Sequence, residues 1–286
     1  WFCNARQDES DMNFKNWPKR APHKKTITPV HRYTMPCVRL ANILGMSRYM
    51  FICEWMNTWH QGPVLHLSGS CMSESRKYFE GTNDAKHTAL WSEIQRVYKE
   101  QNTTHRIGTI TNTMYIKEGD FDILTGTSAC EAKEMPGVLA QLVAEHTWHT
   151  DHEDHLLMAL TLARDMEAMI ASSGTFPGLP AANKLMEMYN EFCLHYNCLT
   201  VNSIADKKLL YNQTVKLHML GHTCYMSQFC SLRLLWAYRW ETLMSKMIAC
   251  ASACTRSTAC ERVGNKVMDR YKVIMLLMIK RWREQL

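Results

Sequence analysis

Thr150-Asp-His-Glu-Asp-His-Leu-Leu-Met-Ala-Leu-Thr-Leu-Ala-Arg-Asp-Met-Glu-Ala-Met-Ile-Ala-Ser-Ser-Gly174 is the stretch that decides the fold class. Its apolar residues Leu156, Leu157, Leu160, Ala163, Met166, Met169 and Ile170 return every three or four positions, the period of one helix face. Thr150 and Glu153 precede that run at the spacing of a capping box, in which hydroxyl and carboxylate satisfy each other's open backbone N–H groups. Ser172-Ser173-Gly174 supplies the stop. A helix starting at Asp151 follows.

Toward the C-terminus the punctuation thins. The last proline is Pro180, and only Gly221 and Gly264 interrupt what comes after it. Hairpins need Gly, Asn or Asp at positive φ, so this stretch is read as helical. Helices are expected at about 181–197, 203–219, 226–252 and 257–284, and short connectors between them suit an antiparallel bundle.

Toward the N-terminus, Pro18, Pro22, Pro29 and Pro36 and the basic run Trp17 to Lys25 describe an irregular basic arm. A helix is expected over about 38–60, a loop at Gly62, Pro63 and Ser68-Gly69-Ser70, a second helix from Asn83, and a helical stretch opened by Val138, Leu139, Leu142 and Val143 that ends near 148. Ile110, Met114, Ile116, Phe121 and Ile123 around Glu118-Gly119-Asp120 predict a small β-hairpin near 107–124. The fold class is therefore mainly α, with a helical bundle in the C-terminal half. The organisation read is an arm at 1–36 and a single mainly helical domain at 37–286. Within that domain, 37–125 holds helices plus the hairpin and 126–286 the bundle.

The composition is that of a globular chain: 286 residues, 46% apolar and 21% charged, with mean hydropathy −0.30. No apolar run approaches the roughly 20 residues of a membrane-spanning helix, so no transmembrane segment is expected. Residues 1–10 have neither a basic start nor an apolar stretch, and the twelve Cys are scattered. Free thiols and a cytoplasmic setting are the reading. The usage of Cys, Met, Trp and His is flatter than natural averages, as in a designed or heavily diverged chain. A net charge of +6 favours an acidic protein or another polyanion as partner.

The most distinctive chemistry is His146-x-x-His149-x-x-His152-x-x-His155, set among Glu145, Asp151, Glu153 and Asp154. Imidazole and carboxylate are good ligands for a zinc or iron ion. At 100° per residue one continuous helix cannot aim all four rings at one point, so a shared ion needs the chain to break near Thr150. The competing reading is an ordinary helix start, its acids placed against the helix dipole. A second group joins Cys193, His195 and Cys198 with His218, His222 and Cys224; His218 and His222, at i and i+4, have a spacing that lets two imidazoles bind one metal. Cys250, Cys254 and Cys260 are read as packing residues. The chain holds no Gly-x-Gly-x-x-Gly, phosphate loop or Gly-x-Ser-x-Gly, which removes the usual backbone devices of nucleotide-binding proteins and common hydrolases.

Gly126-Thr-Ser-Ala-Cys-Glu-Ala-Lys-Glu-Met-Pro136 resembles the flexible Gly-Ser-Ser-x-Met-Pro-x-Lys-x-Asn-Pro loop of the fumarase and adenylosuccinate lyase superfamily, with Gly126, Ser128, Lys133 and Pro136 in register. That resemblance implies a lyase on a long helical bundle, Ser128 as its loop serine and Lys133 as a contact to substrate carboxylate. The stretch lacks the Met-Pro and Asn of the pattern, and Ser128 with Glu131 also fits a capping box. At the other end, Arg270 to Leu286 mixes basic, apolar and aromatic residues. That mix suits a membrane surface, a peptide-binding groove or a terminal core helix. The unbroken apolar run Val273 to Ile279 points all around a helix, and burial in the core is expected.

The functional expectation is a soluble helical binding or scaffold domain. The alternative is a metal-binding protein or metalloenzyme using His146, His149, His152 and His155, and the third reading is the lyase.

Overall fold

The computed structural model describes residues 54–236, 248–249, 252–255 and 260–283. The basic arm, most of the expected helix at 38–60 and much of the one at 226–252 lie outside the described residues. The chain divides into two compact units, Trp1–Trp236 and Ala237–Leu286.

The first unit is mainly helical. A π-helical turn, Met56–His60, leads into α1 (Pro63–Ser75), and a 3-10 turn, Arg76–Tyr78, leads into α2 (Asn83–Glu100). A single turn, α3 (Asn112–Tyr115), precedes α4 (Ala129–His146), α5 (Asp151–Ser172), α6 (Gly178–Ala205) and α7 (Val215–Met226). A 3-10 turn at Leu232–Leu235 follows. In the second unit α8 spans Cys260–Arg283.

Helix α5 lies against both α4 and α6; α4 also meets α1 and α2, and α6 meets α7. Each contributes the apolar stripe its periodicity predicts. Leu139 and Leu142 of α4, Leu156, Leu160 and Met166 of α5, and Phe192 and Tyr196 of α6 enter one core with Trp59 and Leu67. At roughly 25 cal/mol per Å² of apolar area removed from water, such burial is the main favourable contribution to the fold. Both capping boxes are in place: Thr150 and Glu153 open α5, and Ser128 and Glu131 open α4.

Four expectations fail for identifiable reasons. The loop read at Gly62 to Ser70 is α1. Its Ser68 and Ser70 are buried, and a Cβ at Gly69 would stand 2.5 Å from the backbone N of Leu124, so the small residues serve close approach of two chain segments and not a turn. The β-hairpin at 107–124 is absent: no strand occurs among the described residues. The partners of that segment lie elsewhere, with the Leu124 N–H bonding Leu65 O and the Asp122 N–H bonding Leu209 O, both at 3.0 Å. Its buried apolar residues, Ile107, Ile110, Tyr115 and Leu124, enter the core shared with the helices. Helix α4 begins more than two turns before Val138 and carries Pro136 inside it. Helix α6 runs through the break expected near 198–202, and the chain turns instead where Lys207 and Tyr211 take positive φ.

Helix α8 departs furthest from its expected burial. Val273, Leu276 and Leu277 are 56%, 65% and 59% exposed. A continuous apolar run covers the whole helix circumference, so packing any one side leaves the others in water.

Candidate functional site, a basic cleft at the start of α5

The break at Thr150 turns the chain through His149, which has φ +56, and sets the first turn of α5 beside the C-terminal end of α1. Glu153 holds this seam. Its Oε2 accepts the backbone N–H groups of Trp148 (2.9 Å) and Thr150 (3.3 Å) and the Thr147 hydroxyl (3.1 Å). Its Oε1 accepts Tyr78 OH at 3.0 Å and pairs with Lys77 Nζ at 2.9 Å. Burial pulls the carboxyl upward, but Lys77, Thr150 and Tyr78 outweigh it and hold the group down at about 2.

Beside that seam opens a cleft of about 790 Å³, built from the end of α1, the turn after it, the start of α2, the 116–122 segment, the first turn of α5 and the chain after α6. Its size lies within the roughly 300–1,000 Å³ of small-ligand pockets. Glu74 and His152 meet in its wall, with His152 Nε2 2.9 Å from Glu74 Oε2. Tyr211 OH donates to the same oxygen. Asn202 Nδ2 lies 3.4 Å from His152 Nδ1. A neutral His152 therefore carries its proton on Nε2. Burial raises the Glu74 carboxyl, but the bond and charge of His152, the Tyr211 hydroxyl and Lys77 together leave it below its ordinary value. Burial, then the charge of Glu74, pushes the Tyr211 hydroxyl well above its ordinary value, so it remains a donor.

The acids of the wall are committed. Glu74 is taken as above, and Asp122 Oδ1 accepts the Lys117 N–H at 2.8 Å. Asp206 pairs with Lys208 at 3.0 Å, and Asp120 Oδ1 accepts the Phe121 N–H at 2.7 Å. Four cations of the wall meet no acid. Arg76, Lys86, Lys117 and Lys207 form no ion pair among the described residues; Arg76 Nη2 donates to Asn83 O at 3.3 Å and Lys117 Nζ to Thr113 O at 2.6 Å, while Arg76 Nε is buried without a hydrogen-bond partner there.

The four histidines of the sequence cluster each meet a different group. His146 stacks on Tyr78 at 5.9 Å and lies 3.8 Å from Glu93. His149 is exposed, 3.8 Å from Asp154. His152 joins Glu74 in the cleft. His155 Nδ1 is 2.8 Å from Nδ1 of His195, a member of the second sequence group. In that group His218 and His222 do share a face, their Nε2 atoms 3.1 Å apart. Burial pushes the thiol of the nearby Cys224 well up.

Among the described residues, ligand atoms of Glu93, Glu145 and His146 come within 4.8 Å of one another. Arg96 pairs with the Oε2 of both carboxylates. In the lyase-like stretch, Ser128 caps α4 and the residues from Ala129 to Pro136 are helical; Lys133 Nζ sits 5.1 Å over the Trp236 ring.

Sequence reading missed Glu74, Arg76, Lys86 and Lys207 altogether. Glu74 and His152 are 78 positions apart, and no local pattern couples them. A further buried pair went unseen, His60 Nε2 at 2.5 Å and Trp55 Nε1 at 2.7 Å from Glu167 Oε1.

No protein-family model, no curated protein and no solved structure matches the chain.

Proposed function

We propose that the protein is a helical binding domain whose cleft at the start of α5 accepts an anionic group, a phosphate or a carboxylate. The observation that carries this is the imbalance in the wall: its acids are engaged, while Arg76, Lys86 and Lys207 face no carboxylate among the described residues. Charge-assisted hydrogen bonds to an anion are roughly twice as strong as neutral ones, and a buried guanidinium N–H without a partner gains most from receiving one. The Tyr211–Glu74–His152 chain holds part of the wall in place, which supports a preorganised site.

Titration of the full chain with inorganic phosphate and with a dicarboxylate, followed by calorimetry, tests the reading. Saturable binding that falls at least tenfold in Arg76→Met and Lys86→Met supports it. Binding unchanged in both variants defeats it. The same titration with a Glu-rich peptide distinguishes a free small anion from an acidic segment of a partner protein.

A second reading, metal binding, has one observation in its favour, the approach of His146 to Glu93 and Glu145. It ranks second because an ion there has to displace Arg96. Metal analysis of untagged protein tests it. Stoichiometric zinc or iron, lost in His146→Ala, supports it, and metal-free folded protein removes it.

A further inference from the structure

We propose that α8 is an interfacial helix that lies in the surface of an anionic lipid bilayer. The helix carries Arg262, Lys266, Arg270, Lys272, Lys280, Arg281 and Arg283 against only Glu261 and Asp269. Arg262, Arg270 and Lys280 are exposed and form no ion pair among the described residues; Lys272 meets Asp269 at 3.5 Å in an open pair, which salt and water weaken.

The apolar residues of this helix are placed among those charges. Met268, Lys272, Leu276 and Lys280 form one row at spacing i, i+4, and Asp269, Val273 and Leu277 form the next. Met268, Val273, Leu276 and Leu277 are all more than half exposed. Large apolar side chains left in water between lysines match the chemistry of a headgroup boundary. There leucine enters the acyl region while the lysine stem lies along apolar surface and its ammonium reaches phosphate.

The orientation is in the plane of the surface. The unbroken apolar run Val273 to Ile279 is about 10 Å long at 1.5 Å per residue, against a hydrocarbon core of about 30 Å. Among the described residues no helix is long and apolar enough to cross a membrane. Charge selects this occupant over a second copy of the chain, because two such helices side by side repel each other while an anionic surface attracts both.

Sedimentation of the full chain with phosphatidylcholine vesicles, with and without phosphatidylserine, tests the proposal. Association is expected with the phosphatidylserine vesicles only, falling as salt rises. Lys272→Glu and Lys280→Glu each lower the partition coefficient roughly fivefold or more. Leu276→Ser combined with Leu277→Ser lowers it at least tenfold with helix content unchanged by circular dichroism. No association of the parent chain with phosphatidylserine vesicles overturns the proposal, and so does association that all of these variants retain. Loss in the Glu variants with full retention in the Ser variant also overturns it, because the helix is then a basic surface that attracts polyanions without entering lipid.

Discussion

Helices α5 and α8 are of similar length and both rich in Leu, Ile and Met, yet one supplies the core and the other leaves leucines in water. The difference lies in spacing. In α5 the large apolar residues fall three or four apart, so one stripe is apolar and its neighbours absorb it; Leu156, Leu160 and Met166 are essentially inaccessible. In α8 the unbroken run from Val273 to Ile279 passes all round the helix, so Val273, Leu276 and Leu277 fall among the cations of its exposed side. Apolar content alone does not decide burial; its period does.

The largest effect that tests this contrast belongs to the middle of α5. Leu160→Ala removes a side chain with no exposure from the core, on the helix that packs against both α4 and α6, and leaves a cavity. A loss of about 4 kcal/mol is expected from urea unfolding. A loss below about 1 kcal/mol would mean that α5 is not the central element.

Next in size is Glu153, which ties the first turn of α5 to α4 and to the turn after α1. Glu153→Gln keeps the shape but removes the charge that Lys77, Tyr78 and the seam's backbone N–H groups address, and a loss of about 3 kcal/mol is expected at neutral pH. The pH dependence has a definite sign. The folded carboxyl sits at about 2, below the ordinary 4.5, so the fold favours its charged form. That stabilisation is complete above about pH 4.5 and disappears as the pH falls toward 2. Unfolding midpoints measured across that window are expected to fall less steeply for Glu153→Gln than for the parent chain. Parallel curves would show that Glu153 is not the titrating group.

Much of this was legible in advance, and the limits are physical. The capping boxes at Thr150 and Ser128 are local chemistry, closed within four residues, and both stand in the structure. Glu153 was legible as a cap for its own helix, but its partners Lys77 and Tyr78 are contributed by another part of the chain. The cleft is made of such distant meetings throughout: α1 offers Glu74, α2 Lys86 and the turn after α6 Lys207. His146, His149, His152 and His155 are neighbours in sequence, and helix rotation together with the turn at His149 sends them to four different surroundings. Gly69 and its flanking serines look like loop chemistry because close approach and turning both favour small residues, and only the contact with Leu124 distinguishes the two uses.

The smallest expected effect is on the α8 side. Leu276→Ser removes about as much apolar surface as Leu160→Ala, but from a residue 65% exposed, so little area returns to water and no cavity forms. Its cost in unfolding free energy is expected within about 0.5 kcal/mol, the range of surface substitutions. Measured without lipid, that near-silence is informative because the same substitution, paired with Leu277→Ser, is expected to weaken vesicle association at least tenfold. A residue whose loss is silent for folding and costly for lipid contact owes its apolar character to an external surface. If Leu276→Ser instead costs several kcal/mol in the free chain, α8 is a core helix like α5, and the contrast in period carries no functional meaning.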